Sequence, residues 1–118
     1  MTKEIIKRAC RGALKFSACI VGVPVKDTIK EVELGCITRT LKRNALWQIQ
    51  TPQVFKKDLI LKAYKRFYHK DNFNDDASLV EKLNVKVRII VGSYYNIKIT
   101  TPDDLILAQK IYKIINGK

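Results

Sequence analysis

Stretches with helical spacing of apolar residues alternate with stretches that read as strands along the whole chain, and this alternation constrains the fold more than any other feature. Thr2 can cap a helix over Lys3 to Lys15, with Ile5, Ile6, Ala9, Cys10, Ala13 and Leu14 on its apolar side. Ser17 to Val23 reads as a buried strand. Pro24, the alternation through Val25, Asp27, Ile29, Glu31, Val32 and Leu34, and then Gly35 and Ile37 to Leu41 predict an extended arm or hairpin, too polar to be central. Asn44 to Ile49 reads as a short turn of helix, and Thr51-Pro52 as an extended step, because a residue before proline avoids the helical region.

A long helix is predicted over Lys56 to Lys70, with Leu59, Ile60, Ala63, Tyr64 and Phe67 at helical spacing. Asn72 to Asp75 breaks it, and Ala77 to Leu83 forms a short helix. Asn84 to Val91 alternates Val85, Val87, Ile89 and Val91 as a strand that Gly92-Ser93 ends, and Asn96 to Thr100 is a loop. The last helix carries the fullest set of signals: Thr101 as cap, Pro102 at the first helical position, Asp103 and Asp104 at the positive end, and a stripe of Leu105, Ala108, Ile111 and Ile115 before Asn116-Gly117. Helix, strand, arm, helix, helix, strand, helix is part of an α/β layered domain.

With 118 residues there is material for one core. The apolar fraction of 47% and charged fraction of 29% exclude a disordered tail, and no apolar run approaches the roughly 20 residues that span a bilayer. No signal-peptide core is visible, and a cytoplasmic protein without membrane contact is expected. Cys10, Cys19 and Cys36 have no paired spacing, so neither a disulfide framework nor a thiolate zinc site is indicated, and buried reduced thiols are expected. His69 is the only histidine and is expected at the solvated end of a helix, leaving little for a Ser-His-Asp triad.

The net charge of +12 admits nucleic acid, an acidic surface or a small anion as partner. Lys3, Lys7, Arg11 and Lys15 recur every fourth residue, the pattern of a solvated helix face. The basic residues form no long run and no aromatic-interleaved strand, so no nucleic-acid partner is expected.

Four segments, Pro24-Val25-Lys26-Asp27-Thr28-Ile29-Lys30, Leu46 to Phe55 (Leu-Trp-Gln-Ile-Gln-Thr-Pro-Gln-Val-Phe), Asp75 to Glu81 (Asp-Asp-Ala-Ser-Leu-Val-Glu) and Asn96 to Leu105 (Asn-Ile-Lys-Ile-Thr-Thr-Pro-Asp-Asp-Leu), resemble in order and spacing four blocks of the methylerythritol-phosphate cytidylyltransferase family. The resemblance runs over essentially the whole chain. It implies the C-terminal part of a Rossmann-like nucleotidyltransferase domain, glycosyltransferase-A-like, with a protruding β-arm at about 25–43. It also implies that CTP and methylerythritol phosphate react to a CDP-linked product and pyrophosphate, with magnesium or another divalent cation.

By the same resemblance, Thr28 and Arg43 lie on an arm that reaches a partner subunit and bind the sugar phosphate there, which implies a homodimer. Lys98 meets phosphate and is the candidate catalytic residue. Asn74 stands where the family usually has Thr and can still hydrogen-bond substrate, while Lys42 stands where it usually has Asp, placing a like charge beside Arg43. The chemistry suits these residue types, since Arg offers a planar fork to phosphate, Lys a mobile point charge and Thr a short hydroxyl. Gln50-Thr51-Pro52-Gln53 is expected to shape the backbone, and Asp75 and Asp76 to cap and anchor rather than bind metal.

The family's Gly-rich loop, cytosine-recognition segment and metal-site aspartate have no counterpart here. The resemblance thus implies the C-terminal half alone, with metal ligands mainly in the other half and with sheet edges and apolar helix faces exposed. Alternatives are a ribitol-phosphate-type cytidylyltransferase fragment and a non-catalytic dimerisation or anion-binding remnant.

Overall fold

A computed structural model describes residues 1–69 and 72–117. Its centre is β1 (Ala18–Pro24), in which every residue from Ala18 to Val23 is buried. β4 (Trp47–Phe55) pairs with β1 antiparallel and β5 (Arg88–Val91) pairs with it parallel, giving the order β4-β1-β5. Helices cover both faces. α1 (Lys3–Phe16) lays Ile5 and Ala9 on Val21, with Val54 and Ile90 alongside. α2 (Lys57–Phe67) and α3 (Asp76–Glu81) bring Ala63, Leu79 and Val80 to Ala18 on the opposite face. Strand residues alternate between the two faces with period two, so a strand buried on both sides must be apolar at every position, as β1 is. Full burial of each Val or Leu here contributes about 1.5–3 kcal/mol.

α1 starts where Thr2 Oγ1 accepts the Ile5 amide at 3.3 Å and ends at Ser17, whose φ is 72°. Its basic residues Lys3, Lys7, Arg11 and Lys15 are all exposed, as the fourfold spacing predicts. β2 (Lys30–Glu33) and β3 (Cys36–Thr40) form the arm, a two-stranded hairpin exposed at every strand residue. Leu34 and Gly35 turn it with φ of 49° and 79°, the mirror-image turn that suits strand twist. α4 (Pro102–Asn116) carries Thr101 and Asp104 as a reciprocal capping box and ends at left-handed Gly117.

Several expectations need correction. Trp47 to Phe55 is one strand, and only Arg43–Ala45 forms a turn of 3-10 helix. The strand is hidden in the sequence by Pro52, which cannot donate to a ladder. It is tolerated because the pairing steps from Val21 with Gln50 to Ile20 with Gln53, leaving Thr51 and Pro52 in a bulge. The Thr51–Pro52 peptide is cis.

The strand expected from Asn84 is only Arg88–Val91, because Asn84 turns with φ of 57° and Val85 and Val87 pack on the α2–α3 cluster instead of pairing. The long helix ends at Phe67, and its expected last residue, Lys70, lies outside the described residues. Cys19 is buried but Cys10 and Cys36 are exposed, on the outer side of α1 and at the tip of the arm. Of the apolar stripe on α4 only Ile111 is buried. His69 is exposed just beyond α2, as expected. No helix among the described residues is long and apolar enough to cross a membrane.

Candidate functional site at the carboxyl end of the sheet

The bulge in β4 organises two loops. On one side Gln53 donates through Nε2 to Asp75 Oδ2 at 2.8 Å, and its Oε1 accepts the Ala77 amide at 3.2 Å. Asp75 is the N-cap of α3, accepting the Ser78 amide at 3.0 Å. Asp76 accepts from the Tyr64 hydroxyl, a bond that raises the phenol's pKa, assisted by burial. Both aspartates therefore cap and anchor, as expected from sequence. On the other side Gln50 Nε2 donates to the Ser93 carbonyl at 2.8 Å, and Asn96 Nδ2 donates to the Thr51 carbonyl at 2.7 Å. Asn96 is only 7% exposed, so that bond satisfies a group whose burial alone would be costly. Gln50-Thr51-Pro52-Gln53 thus shapes the surrounding backbone.

The arm leaves from the carboxyl end of β1. Its root is closed by the Val25 amide donating to the Leu46 carbonyl at 3.1 Å and by Arg43 Nη1 donating to the Lys26 carbonyl at 2.9 Å. Tyr94, in the loop after β5, donates its hydroxyl to the Pro24 carbonyl at 2.8 Å, and Lys26 Nζ lies 3.7 Å from its ring centre. A cleft of about 470 Å³ opens here, bounded by Lys26, Asp27, Leu41, Trp47, Gln48 and Tyr94. It lies outside the carboxyl ends of parallel strands, where open α/β sheets hold ligands.

All four candidate residues lie at the surface: Thr28, Arg43 and Lys98 are exposed, and Asn74 adjoins the α3 cap. Arg43 and Thr28 sit at the arm root, near opposite ends of its crossing, and Arg43 bonds the backbone two residues before Thr28. Lys98 follows Asn96 by two residues. The bulge therefore holds the Asn74 and Lys98 loops to one stretch of β4, whereas Thr28 and Arg43 form a second group. Among the described residues no hydrogen bond joins any two of the four side chains, and an ion pair on the arm joins Arg39 to Glu31, with Nε to Oε2 at 2.9 Å. Arg43 and Lys98 have no carboxylate partner there, which leaves their charge available to an anion.

Among the described residues, no group of three or more His, Cys, Asp or Glu side chains converges as a metal cage, and Asp75 and Asp76 are already engaged. The described residues therefore offer no cage that fits a resident divalent ion. A larger cavity of about 1190 Å³ lies at the opposite, amino-terminal end of β1 and β5, between Phe16, Lys56, Asp58, Glu81, Lys86 and Arg88, and contains none of the candidates. Sequence reasoning passes over Lys26 as an individual residue and Tyr94 altogether. No periodicity marks Tyr94, because its partners are 68 and 70 residues away.

A family profile described as 2-C-methyl-D-erythritol 4-phosphate cytidylyltransferase matches residues 1–113. Proteins named as that enzyme from Caldanaerobacter subterraneus and Alkaliphilus oremlandii are each 50% identical, over 111 and 115 residues, which are 92% and 96% of this chain but 49% of each relative. The crystal structure of the Thermus thermophilus enzyme of that name superposes with a TM-score of 0.86 at 31% identity, covering 96% of this chain and 56% of that one. The Francisella tularensis structure gives 0.85 at 29% identity, covering 93% and 53%. The chain spans about half the length of the curated relatives it matches.

Proposed function

The chain belongs to the 2-C-methyl-D-erythritol 4-phosphate cytidylyltransferase family, and from that premise we propose that it is the carboxyl-terminal half of an enzyme joining CTP to methylerythritol phosphate with release of pyrophosphate. In that reaction an oxygen of the sugar phosphate attacks the α-phosphorus of CTP. One P–O bond forms, the bond to the bridging oxygen of pyrophosphate breaks, and both electrons of that bond leave with the pyrophosphate. Crowding two anions is the main obstacle, and fixed positive charge is the main remedy.

Arg43 offers a fork to the sugar phosphate, Thr28 a hydroxyl and Asn74 an amide, while Lys98 brings a point charge to the phosphate as the centre becomes pentavalent. Through the arm, Thr28 and Arg43 serve the substrate of a second copy, so the working unit is a homodimer. The observation that carries this reading is the family match over nearly the whole chain, joined to a geometry in which one bulge holds the Asn74 and Lys98 loops. The surface placement of the candidates suits residues that meet a ligand. A magnesium or similar ion would neutralise the CTP phosphates. Its ligands, and most of the CTP contacts, belong to the other half of the enzyme, working in the cytoplasm.

The test is pyrophosphate release from CTP, magnesium and methylerythritol phosphate, by this chain alone and mixed with an amino-terminal half taken from a relative. Turnover only in the mixture is expected, and it should fall when Arg43→Ala or Lys98→Ala is used. No turnover from a mixture shown to be folded would instead favour a non-catalytic anion-binding or dimerisation module. Faster turnover with ribitol phosphate would move the assignment to that sister chemistry.

A further inference from the structure

The arm and the body meet at few described points. The Val25 amide reaches the Leu46 carbonyl one step beyond the Pro24–Trp47 pair, so this bond carries the β1–β4 ladder into the arm root and joins the two strands of that root to each other. The Arg43 bond to the Lys26 carbonyl is likewise internal to the root. Tyr94 is different, since it comes from the loop after β5.

That loop is rigidly seated. The Gly92 amide donates to the Gly22 carbonyl at 2.7 Å, Gln50 holds the Ser93 carbonyl, and the Asn96 amide closes a turn on the same carbonyl at 2.9 Å. The backbone packs closely at Gly92, where a Cβ would lie 2.6 Å from Val21 Cγ1 and closer still to Gln50 Oε1. From this fixed base the Tyr94 hydroxyl reaches the Pro24 carbonyl and the ring supports the Lys26 ammonium. Tyr94 is 43% exposed, so core packing does not explain its placement. Four residues further on stands Lys98.

We propose that Tyr94 is a positioning residue: it pins the root of the arm, with Lys26, Thr28 and Arg43, to the loop that carries Lys98, and so sets the angle at which the arm presents its phosphate-binding groups. This deepens the functional reading above and rests on it for the identity of the ligand, but the pinning itself is a mechanical statement that can be tested separately. Tyr94→Phe keeps the ring under Lys26 and removes only the hydroxyl bond, whereas Tyr94→Leu removes both contacts.

Hydrogen exchange is read first, on the whole chain, at residues 25–29 and 41–46. Exchange should quicken there in the order native, Phe, Leu, while β1 amides and the urea midpoint stay as in the native chain. Affinity for methylerythritol phosphate is then titrated on the same proteins. Loss of one hydrogen bond should weaken binding about fivefold in Tyr94→Phe, and loss of the cation–ring contact as well should bring Tyr94→Leu to about tenfold or more.

Unchanged exchange at the arm root in both variants overturns the proposal. So does quickened exchange with undiminished affinity where Arg43→Ala and Lys98→Ala do weaken binding. If neither of those two variants affects binding, the ligand assignment has failed, and the exchange data alone decide whether Tyr94 pins the arm. Should Tyr94→Leu fail to fold, Tyr94→Phe still decides, since it retains the ring.

Discussion

Gly12 shows how closely a single residue can set the packing of a layer. A Cβ built on it would lie 3.1 Å from Cys19 Cβ and closer still to Cys19 Sγ, so α1 sits on β1 only because this position has no side chain. Gly12→Ala should therefore destabilise the chain by about 1–3 kcal/mol, as overpacking of a close contact does, despite the better helix propensity of alanine. The drop would be read from the urea midpoint. Adding Cys19→Ala should recover part of it, and fully additive losses would mean that the two positions do not clash. Burial also raises the Cys19 thiol pKa, with Arg88 opposing, so this sulfur acts as a small apolar filler. At this scale the sequence is partly legible. Cys19 falls in an apolar strand, which announces its burial, but Cys10 and Cys36 are equally cysteine and are exposed, because composition does not say which side of a helix or hairpin finds a cover. Asn96 and Lys98 belong to one block, yet Asn96 turns inward to hold β4 and only Lys98 faces solvent.

Helices announce themselves better than strands, because capping chemistry is local. Thr2, Asp75 and Thr101 stand at the caps their residue types predict. β4 escapes sequence reasoning for the opposite reason: its signal lies in the partner strand, and Pro52 at the bulge counts against it. The four candidate residues come from motif resemblance, and the supporting bonds of Gln50 and Gln53 span 43 and 22 residues, beyond any local pattern. Asp104 offers a test of the capping logic. Its carboxylate accepts the Thr100 amide first of all, together with the Thr100 and Thr101 hydroxyls and the Thr101 amide, and these hold its pKa down at about 2. A depressed carboxyl contributes stability that is complete above the ordinary carboxyl range and fades as pH falls through its folded value. The start of α4 should therefore stay protected from hydrogen exchange at about pH 5 and fray between about pH 4 and about pH 2. In Asp104→Asn the same amides should exchange faster at about pH 5 and show a much flatter pH profile; an identical profile in both proteins would remove the carboxylate from the cap.

Taken as a whole, the molecule buries one sheet between helices but leaves apolar surface where a domain of this composition would cover it. On α4, Leu105, Ile106, Leu107, Tyr112, Ile114 and Ile115 are all exposed, Leu14 on α1 is 75% exposed, and the outer edge of β4 has no described strand beside it. Periodicity could reveal that these helices have apolar faces, but a face alone does not name its cover, so the three-layer plan is legible and its outer boundary is not. Exposed apolar surface of this kind drives association in water, opposed by the repulsion of a net charge of +12, which salt screens. The chain alone should bind a hydrophobic dye in its folded state, and sedimentation should show association that grows with concentration and with salt. Leu105→Lys combined with Ile114→Lys should reduce both while leaving the far-ultraviolet spectrum unchanged, since neither residue is buried. If α4 is instead covered by a preceding segment in a complete enzyme, adding the amino-terminal half of a relative should quench the dye signal and suppress self-association together, and the lysine pair should weaken that complex. Quenching that the lysine pair leaves intact would place the docking surface on the β4 edge or α1 instead.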